Sequence, residues 1–479
     1  MSEQTKGKKN VNRFRDALGK GEFVLLVESP SPSLSNDPIA AGERLAALEE
    51  TVLSITSVNT VLALTDRYLS LDAWRALEYA NALGEENRDR HVVYLSGRNT
   101  GDGELEQLAA VAAKSRNFNL VPVSGNCVPT DTLKECRKRV FSESVGIIRD
   151  LAAKKQPFFL GGTVNPYAYT PYTIMGQYFK LVKKLNAGAS FVVAQAGWDM
   201  LKLQSLRWYF SGRNLYDPMI ARLVLLTPNL VEKILSGGYP GVNISPDFRK
   251  ILEKELRYSL NQFEAAQYRR LELQAAGCRL LGFSGIQLAG AETPSRAKVA
   301  AERISNALKE FNSFEGWLEE YNSYLARAEM SPFSHSFYLY DHALHRAYPA
   351  DETPVTRDFG EPEVSSREKL AFRLRRFWFE NADKQPADSR RMLKRIFAAC
   401  RGCPRCRLPR TEFVCTESCP KKLANGPCGG VKPHGNCEIS SGECVHSRIL
   451  RLAYWDESMQ TLEDNILDSG FKQEIIKHG

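Results

Sequence analysis

The chain has 479 residues, 43% of them hydrophobic and 25% charged, and 64 basic against 56 acidic side chains give a formal charge of +8. That length asks for more than one core, and the mild positive balance, spread along the chain, favours anionic ligands without the clustered stripe of a dedicated nucleic-acid binder. No apolar run reaches the ~20 residues that cross a bilayer, and the opening MSEQTKGKKN carries no apolar stretch like a secretion signal; the expectation is a cytoplasmic enzyme with neither nucleic acid nor membrane as partner.

In chain order, eight short apolar or β-branched runs alternate with helical segments: 23–28 (FVLLVE), 59–65 (NTVLALT), 91–96 (HVVYLS), 119–124 (NLVPVS), 158–164 (FFLGGTV), 190–195 (SFVVAQ), 221–227 (ARLVLLT) and 280–286 (LLGFSGI). They are nearly all apolar rather than alternating, as strands covered on both faces of a parallel sheet should be. Thr170-Pro171 can cap and open a helix that passes Met175 and Leu181 and stops at Gly188. Eight such units predict an α/β fold, a (β/α)8 TIM barrel over residues 1–300. A doubly wound open sheet would carry a glycine-rich turn after its first strand, and here that turn reads SPSPS.

Barrel chemistry sits at the C-terminal strand ends. Those ends carry Glu28, Thr65 and Asp66, Ser96, Ser124-Gly125-Asn126, Thr163 and Asn165, Gln195, Thr227 and Gln287. This rim is neutral and hydrogen-bonding, without a glycosidase's carboxylate pair, and suits a bound cofactor that the protein orients and tunes. His91 opens the third strand and so points away from the rim. Cys127, Cys136 and Cys278 read as packing residues.

Residues 301–395 read as a helical linker, with 369–381 (KLAFRLRRFWFEN) helical and 349–363 an exposed loop. His342 and His345, beside Asp341, read as a surface or packed pair rather than metal ligands. Residues 396–479 form a small cysteine-rich metal-binding domain: eight of the eleven cysteines lie between Cys400 and Cys444, a crowding that in a reducing compartment points to metal thiolates rather than disulfides. Cys400, Cys403 and Cys406 can converge from a tight knuckle, and with Cys415, Cys419, Cys428, Cys437 and Cys444 they could complete two four-coordinate sites. Zinc is one reading, a 4Fe-4S cluster the other; the order of pairing stays open. Arg401, Arg405, Arg407, Arg410, Lys421 and Lys422 interleave with them and read as compensation of thiolate charge and a solvated face.

Several of these stretches resemble the methylenetetrahydrofolate reductase family. Residues 23–32 look like its first strand, ended by a glutamate and followed by prolines, and KKLNAGASFVVAQ (183–195) is the fuller barrel match. CPKKLANGPCGG (419–430), GNCE (435–438) and Cys444-Val445 resemble the cysteine-rich domain that accompanies some of these reductases, fused or as a separate subunit. The resemblance implies hydride transfer from a reduced flavin, FAD or FMN, to 5,10-methylenetetrahydrofolate, giving 5-methyltetrahydrofolate. It makes Glu28 the general acid at the folate, Gln195 the reader of the pterin with Gln287 as a further substrate contact, and Thr65 and Lys184 flavin contacts. Ser124-Gly125-Asn126 stands where the family carries an arginine or small residue, then Gly-Asp, beside flavin and folate. Asn126 keeps the aspartate's size but loses a charge worth up to ~4 kcal/mol at about 4 Å and an effective dielectric near 20. The expected electron source is NAD(P)H or a redox partner protein, and the chain is a candidate homo-oligomer. Two other classes compete: a non-catalytic assembly or electron-transfer subunit, and a folate-dependent methyltransferase or demethylase on the same barrel.

Overall fold

The computed structural model describes residues 12–66, 72–127, 131–328, 337–340, 344, 355–385 and 389–468. Asp341, His342, His345 and residues 349–354 lie outside the described residues; of the expected loop, 355–363 is mostly exposed.

Eight parallel strands close into one barrel in chain order: β1 Val24–Pro30, β2 Asn59–Thr65, β3 Val92–Ser96, β4 Asn119–Val123, β5 Phe159–Val164, β6 Phe191–Ala194, β7 Met219–Val224 and β8 Gly285–Ala289. Two expected strands were displaced. The seventh begins at Met219, and Thr227 is not on the rim but caps the helix Pro228–Leu235, its Oγ1 accepting from the Leu230 amide at 3.2 Å. The eighth begins at Gly285, because Leu280 closes the helix Leu260–Leu280 and a turn through Gly282 (φ +78°) follows. Gly285 lets β1 and β8 meet: a Cβ there would lie 2.4 Å from the Val24 carbonyl oxygen.

Side chains alternate across a strand, so every second residue points into the barrel. The lower inward positions are apolar, with Val24 and Leu26 on β1, Val61 and Ala63 on β2, Val92 on β3, Val121 on β4, Phe191 and Val193 on β6 and Ile220 on β7 forming one cluster. Phe14, on the helix Arg13–Gly19, plugs the base with its ring edge-on to Phe159 and Phe191, whose own rings stack at 4.9 Å. His91 is buried beside β3: Nδ1 accepts from the Leu62 amide at 3.0 Å and Nε2 meets Glu49 at 2.9 Å, well away from the mouth.

The helix Pro171–Asn186 forms as expected, with Thr170 at its N-cap and Gly188 (φ +115°) beyond its end. It is buried nearly all round, because the cysteine-rich region packs on its outer face through the helix Val445–Trp455. The expected domain boundaries at 300/301 and 395/396 both fall inside helices, Pro294–Glu310 and Arg391–Ala398. The former packs on the barrel helix Pro38–Ser54, and beyond it Trp317 donates to the Leu273 carbonyl at 2.8 Å, so barrel packing continues past residue 300. Among the described residues no helix is long and apolar enough to cross a membrane.

Cys127 and Cys136 are buried, as packing residues should be, but they are bonded to each other as a disulfide. Cys278 is a free thiol, fully buried.

Candidate active site

A cavity opens at the C-terminal ends of the strands. Glu28, Thr65, Ser124, Gly125, Asn126, Lys184, Gln195 and Gln287 all line it. They meet there because the alternation that fills the lower barrel with apolar groups brings the next inward position of each strand to the mouth: Glu28 follows Leu26, Thr65 follows Ala63, Gln195 follows Val193. Asp66 also lines the cavity, but its carboxylate is spent on structure, accepting from the Ala76 and Ser96 amides at 3.0 and 2.7 Å. Ser96 is not part of the lining, and its hydroxyl accepts from the Arg98 amide at 3.3 Å.

At the centre is a side chain not singled out from the sequence, Arg222 on β7. It pairs in register with Gln287 on β8, which in turn faces Leu26 on β1, so Arg222, Gln287 and Glu28 share one side of the mouth. The Arg222 guanidinium bonds both oxygens of Glu28, with Nη2 to Oε2 at 2.7 Å. It also donates to Gln195 Oε1 at 2.7 Å and to the Tyr239 hydroxyl at 2.8 Å. Gln287 donates to Glu28 Oε1 at 2.5 Å and accepts from the Tyr94 hydroxyl at 2.7 Å. The expected acid and pterin reader are thus brought together through a shared cation, with both Glu28 oxygens engaged as acceptors. An arginine inside an otherwise apolar strand was the available signal.

Lys184 reaches the cavity from the helix Pro171–Asn186 and donates to the Thr163 carbonyl at 2.5 Å and hydroxyl at 3.1 Å. Burial, with Lys180 nearby, pushes its pKa down to about 7, so the cation expected to meet an anionic ligand is only partly charged near neutrality. Thr65 Oγ1 is buried and has no hydrogen-bond partner among the described residues. Gly125 turns at φ +82°, where a Cβ would meet Arg98 at 2.6 Å; this seats Asn126 at the cavity.

The cysteine-rich region forms the cavity's lid, adding Pro427, Cys428 and Gly429 to its lining. Asn165 donates to the Gly429 carbonyl at 2.7 Å, Gln177 to that of Cys428 at 2.8 Å, and Lys421 to that of Gly125 at 3.0 Å. Glu143 accepts from the amides of Ala424 and Asn425 and pairs with Lys180 at 2.8 Å. Burial opposes its charge, but Lys180 and these donors outweigh that and hold its carboxyl down to about 2.

The eight cysteines fall into two sets of four in chain order. Cys400, Cys403, Cys406 and Cys415 line one hollow; Cys419, Cys428, Cys437 and Cys444 line another, beside the cavity. A bridge between Asn436 and Glu443 brings Cys437 and Cys444 together, and the Gly402 amide donates to Cys400 Sγ at 3.4 Å. Donor type and number fit two thiolate centres. As placed, no group of three or more His, Cys, Asp or Glu side chains among the described residues is arranged to hold an ion. The interleaved cations mostly meet carboxylates rather than sulfur: Arg407 pairs with Glu417, Arg405 with Asp468 at 2.6 Å, Arg410 with Asp383 at 3.3 Å and Lys421 with Glu438 at 2.5 Å.

Among solved structures, an uncharacterized protein from Clostridium thermocellum that binds two copies of 5-methyl-5,6,7,8-tetrahydrofolic acid is similar at 14% identity, over 61% of this chain and 99% of that one, with a TM-score of 0.45. Tryptophan synthase from M. tuberculosis follows at 13% identity, 61% and 96% coverage and a TM-score of 0.34. Likenesses this loose carry no argument beyond the barrel that the strand order already establishes. No curated protein matches the chain. Residues 379–469 match the family model described as methylene-tetrahydrofolate reductase C terminal. The chain therefore joins an eight-stranded α/β barrel to a C-terminal region that matches the methylene-tetrahydrofolate reductase C-terminal model over residues 379–469.

Proposed function

We propose that this protein is a flavin-dependent reductase of 5,10-methylenetetrahydrofolate. The observation that carries the reading is convergence: residues matched to flavin and folate roles on five separate strands or their ends, and on one helix, line a single cavity beneath a lid of the matching C-terminal domain. The unpartnered Thr65 hydroxyl fits the polar edge of a bound ring system, and Lys184 fits an anionic side chain of the same group. FAD or FMN, when bound, would supply the hydride chemistry.

The chain's own groups bind and orient. Gln195 and Gln287 offer amide edges to a pterin, and the lid excludes water from the mouth. Glu28 is the proton donor for a folate nitrogen. Because both of its oxygens accept from Arg222 and Gln287, delivery requires Arg222 to let go as substrate enters and the freed carboxylate to take a proton from solvent before handing it on. The two cysteine sets are read as the ligands of iron–sulfur centres; Cys428 lines the cavity, so a centre held there would be able to exchange electrons with a group bound in it.

A second reading is favoured by one observation, the Arg222–Glu28 pair together with Asn126: a barrel whose acid is clamped and whose aspartate is absent suits an electron-transfer subunit. Anaerobic purification with visible spectroscopy, iron and zinc analysis and a 5-methyltetrahydrofolate assay tests both. A flavin band with product formation supports the reductase; flavin and iron without product support the subunit; a protein that takes up neither on reconstitution overturns both.

A further inference from the structure

Away from the cavity, the helices Ser366–Phe379 and Arg391–Ala398 lie side by side. The rings of Trp378 and Phe397 sit 4.4 Å apart between them, and Arg375 Nε donates to the Phe397 carbonyl at 2.5 Å. One side of the pair is packed, with Phe372 edge-on to Phe413 and Trp455. The outer side is bare. Phe377 is 80% exposed, Met392 77%, Ile396 65% and Leu370 59%. Leu370 and Phe377 stand two turns apart on one helix face, and Met392 and Ile396 one turn apart on the other. Single exposed apolar residues are ordinary, but grouped large ones mark interaction surfaces.

Charge narrows the partner. Residues 366–410 carry fourteen lysines and arginines against four acids, and Arg367, Arg373, Arg395 and Arg401 are exposed among the apolar groups. A second copy of this face would set cation against cation, so self-association is disfavoured here. The helix Arg391–Ala398 runs directly into Cys400, whose amide donates to the Lys394 carbonyl at 3.1 Å. The patch therefore continues into the first cysteine set, which is partly exposed. Aromatic, methionine and arginine side chains are what protein interfaces enrich. Nucleic acid would use the arginines and leave Phe377 and Met392 idle. An anionic lipid surface would meet a platform fixed on its other side, with arginines set among its apolar groups rather than along an opposite face.

We infer that this face docks a small acidic electron-carrier protein, its apolar spot meeting Phe377, Met392 and Ile396 and its carboxylate rim meeting the arginines. The inference rests on the redox reading of the cysteine sets. One electron would leave the reduced carrier, oxidising it, and enter the centre at Cys400–Cys415, reducing it; no bond forms or breaks.

The test titrates the full-length, flavin- and metal-loaded protein with purified plant-type ferredoxin, an acidic one-electron carrier, by calorimetry. The variants are Phe377→Ser with Ile396→Ser, and Arg373→Glu with Arg395→Glu; all four side chains are exposed, so the fold and visible spectrum should stay as they are. Expected is binding that weakens at least about tenfold between about 50 and about 300 mM salt, and at least about tenfold in each double variant. Unchanged ferredoxin affinity in both variants overturns the proposal, as does absence of binding by a protein whose spectrum shows its clusters. Phosphatidylserine vesicles or duplex DNA bound through the same residues, with ferredoxin ignored, also overturn it. Ferredoxin binding at this face by a protein without flavin or clusters upholds the docking surface and overturns the redox reading instead.

Discussion

The barrel and its lid reach order by opposite routes. The barrel is closed by strand pairing and filled by apolar inward positions from Val24 to Ile220, so its polar mouth is built on a scaffold that would stand without it. The lid between Cys400 and Cys444 has short 3-10 turns, one isolated bridge and no described strand of its own. Its order comes from the barrel beneath it, through Glu143, Lys180 and Asn165, and from whatever the two cysteine sets hold. A scaffold closed by its own strand pairing presents a site; a cap without strands of its own completes it.

The sharpest way to break that contrast is to strip metal. Metal held by thiolates couples its binding to folding, so chelation under reducing conditions should expose residues 400–444 to hydrogen exchange while the barrel strands stay protected. Uniform loss of protection would show that the barrel leans on the lid as well. Next in size, Glu143→Ala leaves two lid amides without their acceptor and Lys180, which still donates to the Gly426 carbonyl at 3.1 Å, without its counter-ion; removing one partner of such a buried pair costs about 3–5 kcal/mol, read as a drop in the denaturation midpoint. The pH dependence follows the same group. Its folded carboxyl lies near 2 against an ordinary 4.5, so its contribution is in place above about 4.5 and fades as pH falls toward 2. Lid exchange in acid should rise in the wild type and show no such step in the variant.

How far all this was visible in the residues depends on which force set the position. The strand ends could be read because burial on both faces leaves long apolar runs, and the mouth residues Glu28, Thr65 and Gln195 follow from them. Arg222 was hidden because the run 221–227 places it at the base of a strand that really starts at Met219. The lid's seat over the mouth depends on contacts between residues up to about 300 apart in sequence, such as Lys421 with Gly125, for which no local pattern exists. The division of the cysteines into two consecutive sets is likewise a tertiary fact.

Within the mouth, the contrast can be sharpened by smaller effects. Gln195→Ala should weaken folate binding by about 1–3 kcal/mol, with flavin retention little changed; equal loss of both would deny it a substrate role. Flavin affinity should fall severalfold as pH climbs through about 7 and Lys184 sheds its proton, a fall that Lys184→Met should abolish. A bound anion would move the fall upward in pH, never downward. Smallest is Thr65→Val. Its hydroxyl has no partner among the described residues, so stability should hold or rise slightly, whereas flavin affinity should drop by about 1 kcal/mol. A loss of stability instead would make it a structural hydroxyl.

The helix Pro171–Asn186 is covered on its outside by the helix Val445–Trp455, which is made after every strand of the barrel. While the ribosome is still translating that segment, the barrel can already close with one flank bare, a wet apolar surface open to aggregation or to chaperones. Truncations short of residue 445 should therefore accumulate in inclusion bodies, even though every strand of the barrel is present.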